Sequence, residues 1–308
     1  MSLNLRSKRT FEECMRQILA KSIPFTLRKL ISVSIYRHLY FRGLFNLRYK
    51  TGEKVGLFFH SGTIIENEIY WRGLGRGHEP LSMTLWIQII RKIQPKVIID
   101  IGANTGIYGV VAKLINNRSA VHFFEPTPAS LFAINKSLEA NKVTQDSYIH
   151  NVFLSDENEG LKTLFMNSDQ DFSYVYYDRT ESANEKPVTT SVWTLSTYFQ
   201  LVHPEVTTES IELVKIDVEG NEFKVLSGFK NYFSSDTIFL IEVLNDQAAT
   251  ELQYFFTSEN YIFFNIDDDS LSLSQQTELK PSLKWNILIV PKSKFSDLRD
   301  TIFHEIEG

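Results

Sequence analysis

The sequence holds a single cysteine, Cys14, among 308 residues. A lone thiol cannot close an intramolecular disulfide, and it excludes a cysteine-rich zinc site. Such cysteine usage suits a reducing compartment, so a cytoplasmic chain is expected. No apolar run approaches the roughly 20 residues that a membrane-spanning helix needs. The first residues lack an apolar stretch followed by a small-residue cleavage site, so no secretory leader is expected. Internal repeats and low-complexity tracts are also missing. What is plentiful is core-forming material. Hydrophobic residues make up 43% of the chain, and there are 23 Phe. That composition excludes extended disorder and supports an ordinary globular core.

Net charge is −5, but it is unevenly spread. Residues 1–50 carry 11 Lys or Arg against Glu12 and Glu13, a balance of +9, which leaves −14 for the rest. An acidic main body offers no basic stripe for a phosphate backbone, so nucleic acid is not an expected partner. Apolar residues from Phe11 to Leu39 recur at three- and four-residue steps, with basic residues between them, so residues 10–47 read as helical, broken at Pro24. The plain reading is a helical cap with a solvated basic face. The alternative is peripheral contact with the inner face of an anionic membrane.

Residues 55–72 read as a β-hairpin, Val55–His60 and Thr63–Tyr70 flanking Ser61-Gly62. Gly73, Gly75 and Gly77 then lead to His78-Glu79-Pro80 and a helix over Leu81–Ile93. From residue 96 strands and helices alternate. Val97–Ile101, Val121–Phe124 and Ser147–Leu154 read as strands, and Gly106–Ile115 and Pro128–Asn141 as helices. Apolar first strands in β-α-β-α-β order predict a parallel sheet covered on both faces. Further strands are expected at 162–166, 188–195, 211–218 and 237–243. Helices are expected from Glu222 and over 248–258, and a terminal antiparallel pair at 261–266 and 286–290.

The first chemical constellation is V-I-I-D-I-G-A-N-T-G at 97–106. A buried strand delivers Asp100, and Gly102, Asn104 and Gly106 turn the chain into a helix. Glycines there allow close approach of backbone to ligand, in the crevice where open α/β sheets bind. The spacing is not G-x-G-x-x-G, and a carboxylate in the turn would repel a pyrophosphate. It suits a ligand with a cationic ammonium and no phosphate, such as S-adenosylmethionine. Glu125 ends the next strand 25 residues after Asp100, near the spacing of an acid that holds ribose hydroxyls. The rival reading is a nucleotide-dependent oxidoreductase.

The second constellation is V-K-I-D-V-E-G-N-E-F-K-V-L-S-G at 214–228. D-I-G-A-N-T-G, then F-E-P-T-P, then K-I-D-V-E-G-N-E together resemble the FkbM family of S-adenosylmethionine-dependent methyltransferases, over roughly residues 79–292. His78-Glu79-Pro80, Leu154-Ser155-Asp156, Glu242 and Asn286 agree with the pattern. Thr194-Leu195-Ser196 departs from it, where Thr-Leu-Asp is expected.

The resemblance implies a Rossmann-like class I methyltransferase sheet with helices on both faces, after a basic helical segment (1–50) and a hairpin lead-in (51–78), with the methyltransferase domain at 79–308. It implies O-methylation of a hydroxyl on a sugar, polysaccharide intermediate or related natural product. A relative that binds the cofactor without catalysis is the alternative.

Cofactor-binding candidates are Glu79, Asp100, Gly102, Asn104, Gly106 and Glu125, with Asp156 for the adenine amino group. Asp217, Glu219 and Glu222 are candidate catalytic acids, although acids in a first helical turn also serve the helix dipole. His60, His78 and His150 are alternative bases. Asp217, Glu242, Asn245 and Asp246 stand at or just beyond strand ends, where oxygen ligands would suit Mg²⁺.

Overall fold

A computed structural model describes residues 22–28, 30–32, 42–49, 54–59, 64–167, 175–176, 185–229, 232, 234–281 and 286–303. Most of the basic segment lies outside these residues, as do His60 and most of the polar loop near 178–186.

The frame is an eight-stranded sheet with the order β13-β12-β14-β11-β10-β3-β4-β5. Within it β3 (Val97–Ile101) is flanked in parallel by β4 (Ala120–Phe124) and β10 (Ile211–Ile216). Next to β4 lies β5 (Ser147–His150), and next to β10 lies β11 (Ile238–Glu242), both parallel. Then β14 (Asn286–Pro291) enters antiparallel between β11 and β12 (Tyr261–Asp267), and β13 (Ser272–Gln276) forms the edge. All five residues of β3 are buried. That explains why all but Asp100 are apolar, since both faces of a parallel sheet are covered. Burying each Ile or Val side chain contributes about 1.5–3 kcal/mol.

One face is covered by α1 (Ile64–Arg72), α2 (Pro80–Ile93), α3 (Ile107–Ile115), α4 (Pro128–Asn141) and α8 (Lys292–Phe303). The other is covered by α5 (Leu195–Val202), α6 (Glu222–Phe229) and α7 (Asp246–Leu252). Helices on both faces of a largely parallel sheet make this a Rossmann-like α/β fold. Its order reverses between β3 and its neighbours, because β4 follows β3 on one side and β10 joins on the other.

Three expectations are corrected. The hairpin is β1 (Gly43–Arg48) against β2 (Lys54–Phe59), so the helical reading of 10–47 fails at its end. Residues 64–72 are helical, not a strand. Their β-branched start reads as a strand, but Trp71 Nε1 donates to Asn67 Oδ1 one turn back, and the helix is buried on most sides. The hairpin docks on α4, where Asn141 and Ser137 bond the backbone of Gly56 and Phe58.

Residues 147–154 are not one strand. The chain leaves the main sheet at Asn151, and β6 (Val152–Leu154) joins a second sheet of order β6-β9-β7-β8. The others are β7 (Gly160–Asn167), β8 (Val175–Tyr176) and β9 (Glu185–Trp193). The edge strand β13 and the terminal helix α8 were not expected. Both are polar enough to read as loop, and α8 buries only Leu298 and Ile302.

Candidate functional site

The turn after β3 is gripped from both sides. The amides of Gly102 and Ala103 donate to the Phe124 carbonyl at the end of β4, at 3.0 and 3.1 Å. The Asp217 amide, just past β10, donates to the Ile101 carbonyl at 3.0 Å. Gly102 has φ +74°, and a Cβ there would stand 1.8 Å from the Asp217 carbonyl oxygen. Glycine is therefore required by both conformation and space. Asn104 adopts φ 47°, a left-handed conformation that asparagine tolerates.

This turn opens onto a cavity at the carboxyl ends of β3, β4 and β10. Asp100, Gly102, Asn104, Glu125, Asp217 and Glu219 line it, with Phe124, Pro126 and Val152–Leu154 as its apolar wall. Asp100 accepts the Gly109 amide at 2.9 Å, which fixes the start of α3. Burial pushes its carboxyl up to about 7, although Lys215 opposes this. Glu125 is buried and bridges two loops, accepting the Asn104 amide through Oε2 and the Thr127 amide and hydroxyl through Oε1. Asn104 Oδ1 is buried without a hydrogen-bond partner.

Behind this wall runs a charge network that sequence reasoning missed. Lys215 sits directly beside Asp100 on the neighbouring strand and is 3% exposed. Its ammonium donates to Asp217 Oδ2 at 2.8 Å and lies 4.7 Å from the Tyr108 ring centre. Burial would lower its pKa, but Asp217 and Glu79 outweigh burial and raise it. Glu79 accepts Tyr108 Oη at 2.5 Å and Asn286 Nδ2 at 2.7 Å. Burial would raise the Glu79 carboxyl, but Lys215, His78 and these donors hold it at about 2. Glu79 thus braces the site from behind and does not line it. The sequence signal was available, as a lysine within the apolar strand I-E-L-V-K-I can only be buried if paired.

Beyond β10, Asp217, Glu219 and Glu242 place carboxylate oxygens within 4.8 Å of one another. Burial, then Asp217 and Glu222, push Glu219 up to about 8. Burial and the same crowd of acids raise Glu242 far above the usual carboxylate range. Glu222 is turned inward, accepting the amides of Val218 and Gly220, and does not line the cavity. Burial pushes it up to about 7.

Of the other candidates, His78 alone joins the cavity lining. Asp156 is exposed, accepts Ser155 Oγ and is outside the cavity lining. Asn245 caps α7 by accepting the Ala248 amide through Oδ1. Asp246 is exposed in the first turn of α7 and is outside the acidic trio. His78 lines the cavity and contacts Glu68 and Glu79. His150 faces away, towards His122 and Tyr198. Ser196, where an acid was expected, donates its hydroxyl to the Gly228 carbonyl at 2.8 Å, a bond that an ionised carboxylate cannot make.

S-adenosylmethionine brings an ammonium, a sulfonium and ribose hydroxyls. The cavity offers Asp100, Glu125, Asp217 and Glu219 against one buried lysine, plus the unpartnered acceptor of Asn104. An acceptor-rich, acidic lining fits such a cation and disfavours a pyrophosphate.

Among solved structures, the chain is similar to precorrin-6y C5,15-methyltransferase from Geobacter metallireducens, at 11% identity, TM-score 0.37, with 70% of this chain and 87% of that one covered. It is similar to the O-methyltransferase TomG from Streptomyces achromogenes, at 10% identity, TM-score 0.39, covering 68% and 78%. The O-methyltransferase from Bacillus cereus gives 9% identity, TM-score 0.38, and coverages of 68% and 81%. No curated protein matches the chain. The Methyltransferase FkbM domain profile matches residues 100–267, from Asp100 through the acidic strand ends to the end of β12. That is more than half of the chain, which therefore belongs to the FkbM family of S-adenosylmethionine-dependent methyltransferases.

Proposed function

We propose that this enzyme methylates a hydroxyl of a sugar, polysaccharide intermediate or related natural product. The observation that carries the reading is that Asp217 and Glu219 line the same cavity as the Gly102–Thr105 turn and Glu125. A half that binds the cationic cofactor and a carboxylate-rich acceptor half then share one crevice.

When bound, S-adenosylmethionine supplies an electrophilic methyl group. Glu125 holds the ribose hydroxyls, since a carboxylate keeps acceptor capacity beyond its loop contacts. Asn104 Oδ1 takes a donor of the same ligand. Asp100 faces its positive charge, and Phe124, Pro126 and Leu154 exclude water around the adenine. On the acceptor side Glu219 receives the hydroxyl proton. A carboxylate raised to about 8 is a stronger base than an ordinary one, and it is matched to a weakly acidic alcohol. Asp217 is fixed by Lys215 and orients the acceptor. Glu222 holds the 218–222 turn that presents Glu219. The trio of Asp217, Glu219 and Glu242 supports a second version in which Mg²⁺ orients the hydroxyl.

The test is calorimetric titration with S-adenosylmethionine and S-adenosylhomocysteine, with NADH as control, followed by a screen of hydroxylated glycans with and without Mg²⁺. Methyl transfer to a hydroxyl supports the proposal. Cofactor binding without turnover on any hydroxylated acceptor overturns it and favours a non-catalytic role or another acceptor class.

A further inference from the structure

Three histidines come together on the opposite side of the cavity wall, outside the methyl-transfer machinery. His122 lies on β4, His150 ends β5 and His203 follows α5. One ring nitrogen of each lies within 4.8 Å of those of the other two. We propose that His122, His150 and His203 form a binding site for a divalent transition ion of the zinc type, which clamps α5 to the β4–β5 edge.

Three observations carry this. First, His122 Nδ1 and His150 Nε2 face each other at 3.1 Å. Two nitrogens sharing a tetrahedral zinc at 2.0–2.1 Å stand about 3.3 Å apart. The existing spacing needs almost no adjustment.

Second, two of the rings are oriented through their other nitrogen. His203 Nδ1 pairs with Glu205 Oε1 at 2.9 Å, and His150 Nδ1 meets Tyr198 Oη at 3.1 Å. Both leave Nε2 for the ion. A carboxylate or hydroxyl on the far nitrogen is the usual support of a metal-bound imidazole.

Third, the three converging ligands are all imidazoles, and two of the three rings, His122 and His150, are buried. Imidazole sets select zinc-type ions over Mg²⁺ or Ca²⁺, which take oxygen ligands. Three histidines also leave a fourth position for water.

The site backs the cofactor cavity. The His150 ring stacks on Phe124, which lines that cavity, with ring centres 4.5 Å apart. An ion here stiffens that wall without touching the transferred group.

The test uses the full chain after stripping with a chelator, titrated with Zn²⁺ and with Co²⁺. The expected result is one equivalent bound, the visible absorption of tetrahedral Co²⁺ and a raised Tm. His203→Gln should weaken binding by about 100-fold, and Glu205→Gln by about 10-fold. Glu205 is largely exposed, so its variant cannot fail merely by unfolding. Binding unchanged in both variants overturns the site. So does binding that survives in them but disappears in Glu242→Gln, which would place the ion at the carboxylate trio. Failure to bind any ion also overturns it.

Discussion

Glu125 Oε2 accepts the backbone N–H of Asn104 at 2.9 Å, tying the turn after β3 to the end of β4. The other oxygen of the same carboxylate holds Thr127. Removing it takes away both a ligand acceptor and the brace between two loops. Glu125→Ala is expected to weaken S-adenosylmethionine binding by about 100-fold, the scale of two hydrogen bonds to a charged group. Glu125→Gln should lose less, because its carbonyl oxygen still accepts. Calorimetry on both variants checks this. Wild-type affinity in Glu125→Ala would remove the residue from the ribose role.

Gly102→Ala should be far more costly than its one methyl group suggests. The Cβ would stand 1.8 Å from the Asp217 carbonyl oxygen, and φ is +74°. The positive φ alone costs about 1 kcal/mol, and the overlap must push β3 and β10 apart at the site. A loss of about 2–4 kcal/mol of stability together with loss of cofactor binding is expected, read by thermal unfolding and titration. An unchanged Tm would show that the turn is looser than its hydrogen bonds imply.

The buried acids set opposite pH dependences for stability and rate. Glu219 and Glu222 are pushed up to about 8 and about 7 from an ordinary 4.5. A raised carboxyl binds its proton more tightly folded than unfolded. Their contribution therefore falls as pH climbs from near 4.5 through 8. Glu79, held at about 2, works the other way and loses its contribution as pH falls from 4.5 towards 2. The Tm should thus be higher near pH 5.5 than near pH 8.5, and Glu219→Gln should flatten that slope. Turnover should instead rise with pH towards 8, as Glu219 becomes a base. A flat rate profile between pH 6 and 9 would exclude Glu219 from that role.

Much of this arrangement was legible because the residues concerned are local. The Asp100–Gly106 turn, Glu125 and the Asp217–Glu222 stretch each carry their chemistry within a few positions, and the alternation of apolar strands with helices sets the sheet around them. What escaped depends on partners distant in sequence. Lys215 looked like one motif letter until its neighbours Asp100, Tyr108 and Glu79 surrounded it. Glu79 was read as a ligand contact, but Asn286, 207 positions away, turns it into a brace. The break at Asn151 that sends β6 into a second sheet has no local marker, since both halves are equally strand-like. The reading of Thr63–Tyr70 as a strand failed because burial on most sides of the helix Ile64–Arg72 erases helical periodicity.

Asp268 is the remaining long-range device. It is 8% exposed, just past β12, and its Oδ1 accepts the amides of Leu81 and Ser82 at 2.7 and 2.9 Å. Its Oδ2 accepts Ser82 Oγ at 2.6 Å. Glu79 is the residue at the start of α2 but makes no side-chain capping bond, so Asp268 satisfies the first turn from across the sheet. Its negative charge also meets the positive end of the helix. Asp268→Ala leaves two amides and a hydroxyl without partners and should cost about 2–4 kcal/mol. Asp268→Asn keeps the Oδ1 acceptor and should cost about half as much. Because α2 begins one residue after Glu79, the alanine variant should also loosen the Glu79–Tyr108 bond and weaken cofactor binding several-fold. Calorimetric unfolding of the two variants measures the first effect and titration the second. Equal losses in Asn and Ala would show that charge against the helix end, rather than hydrogen bonding to Leu81 and Ser82, is what Asp268 provides.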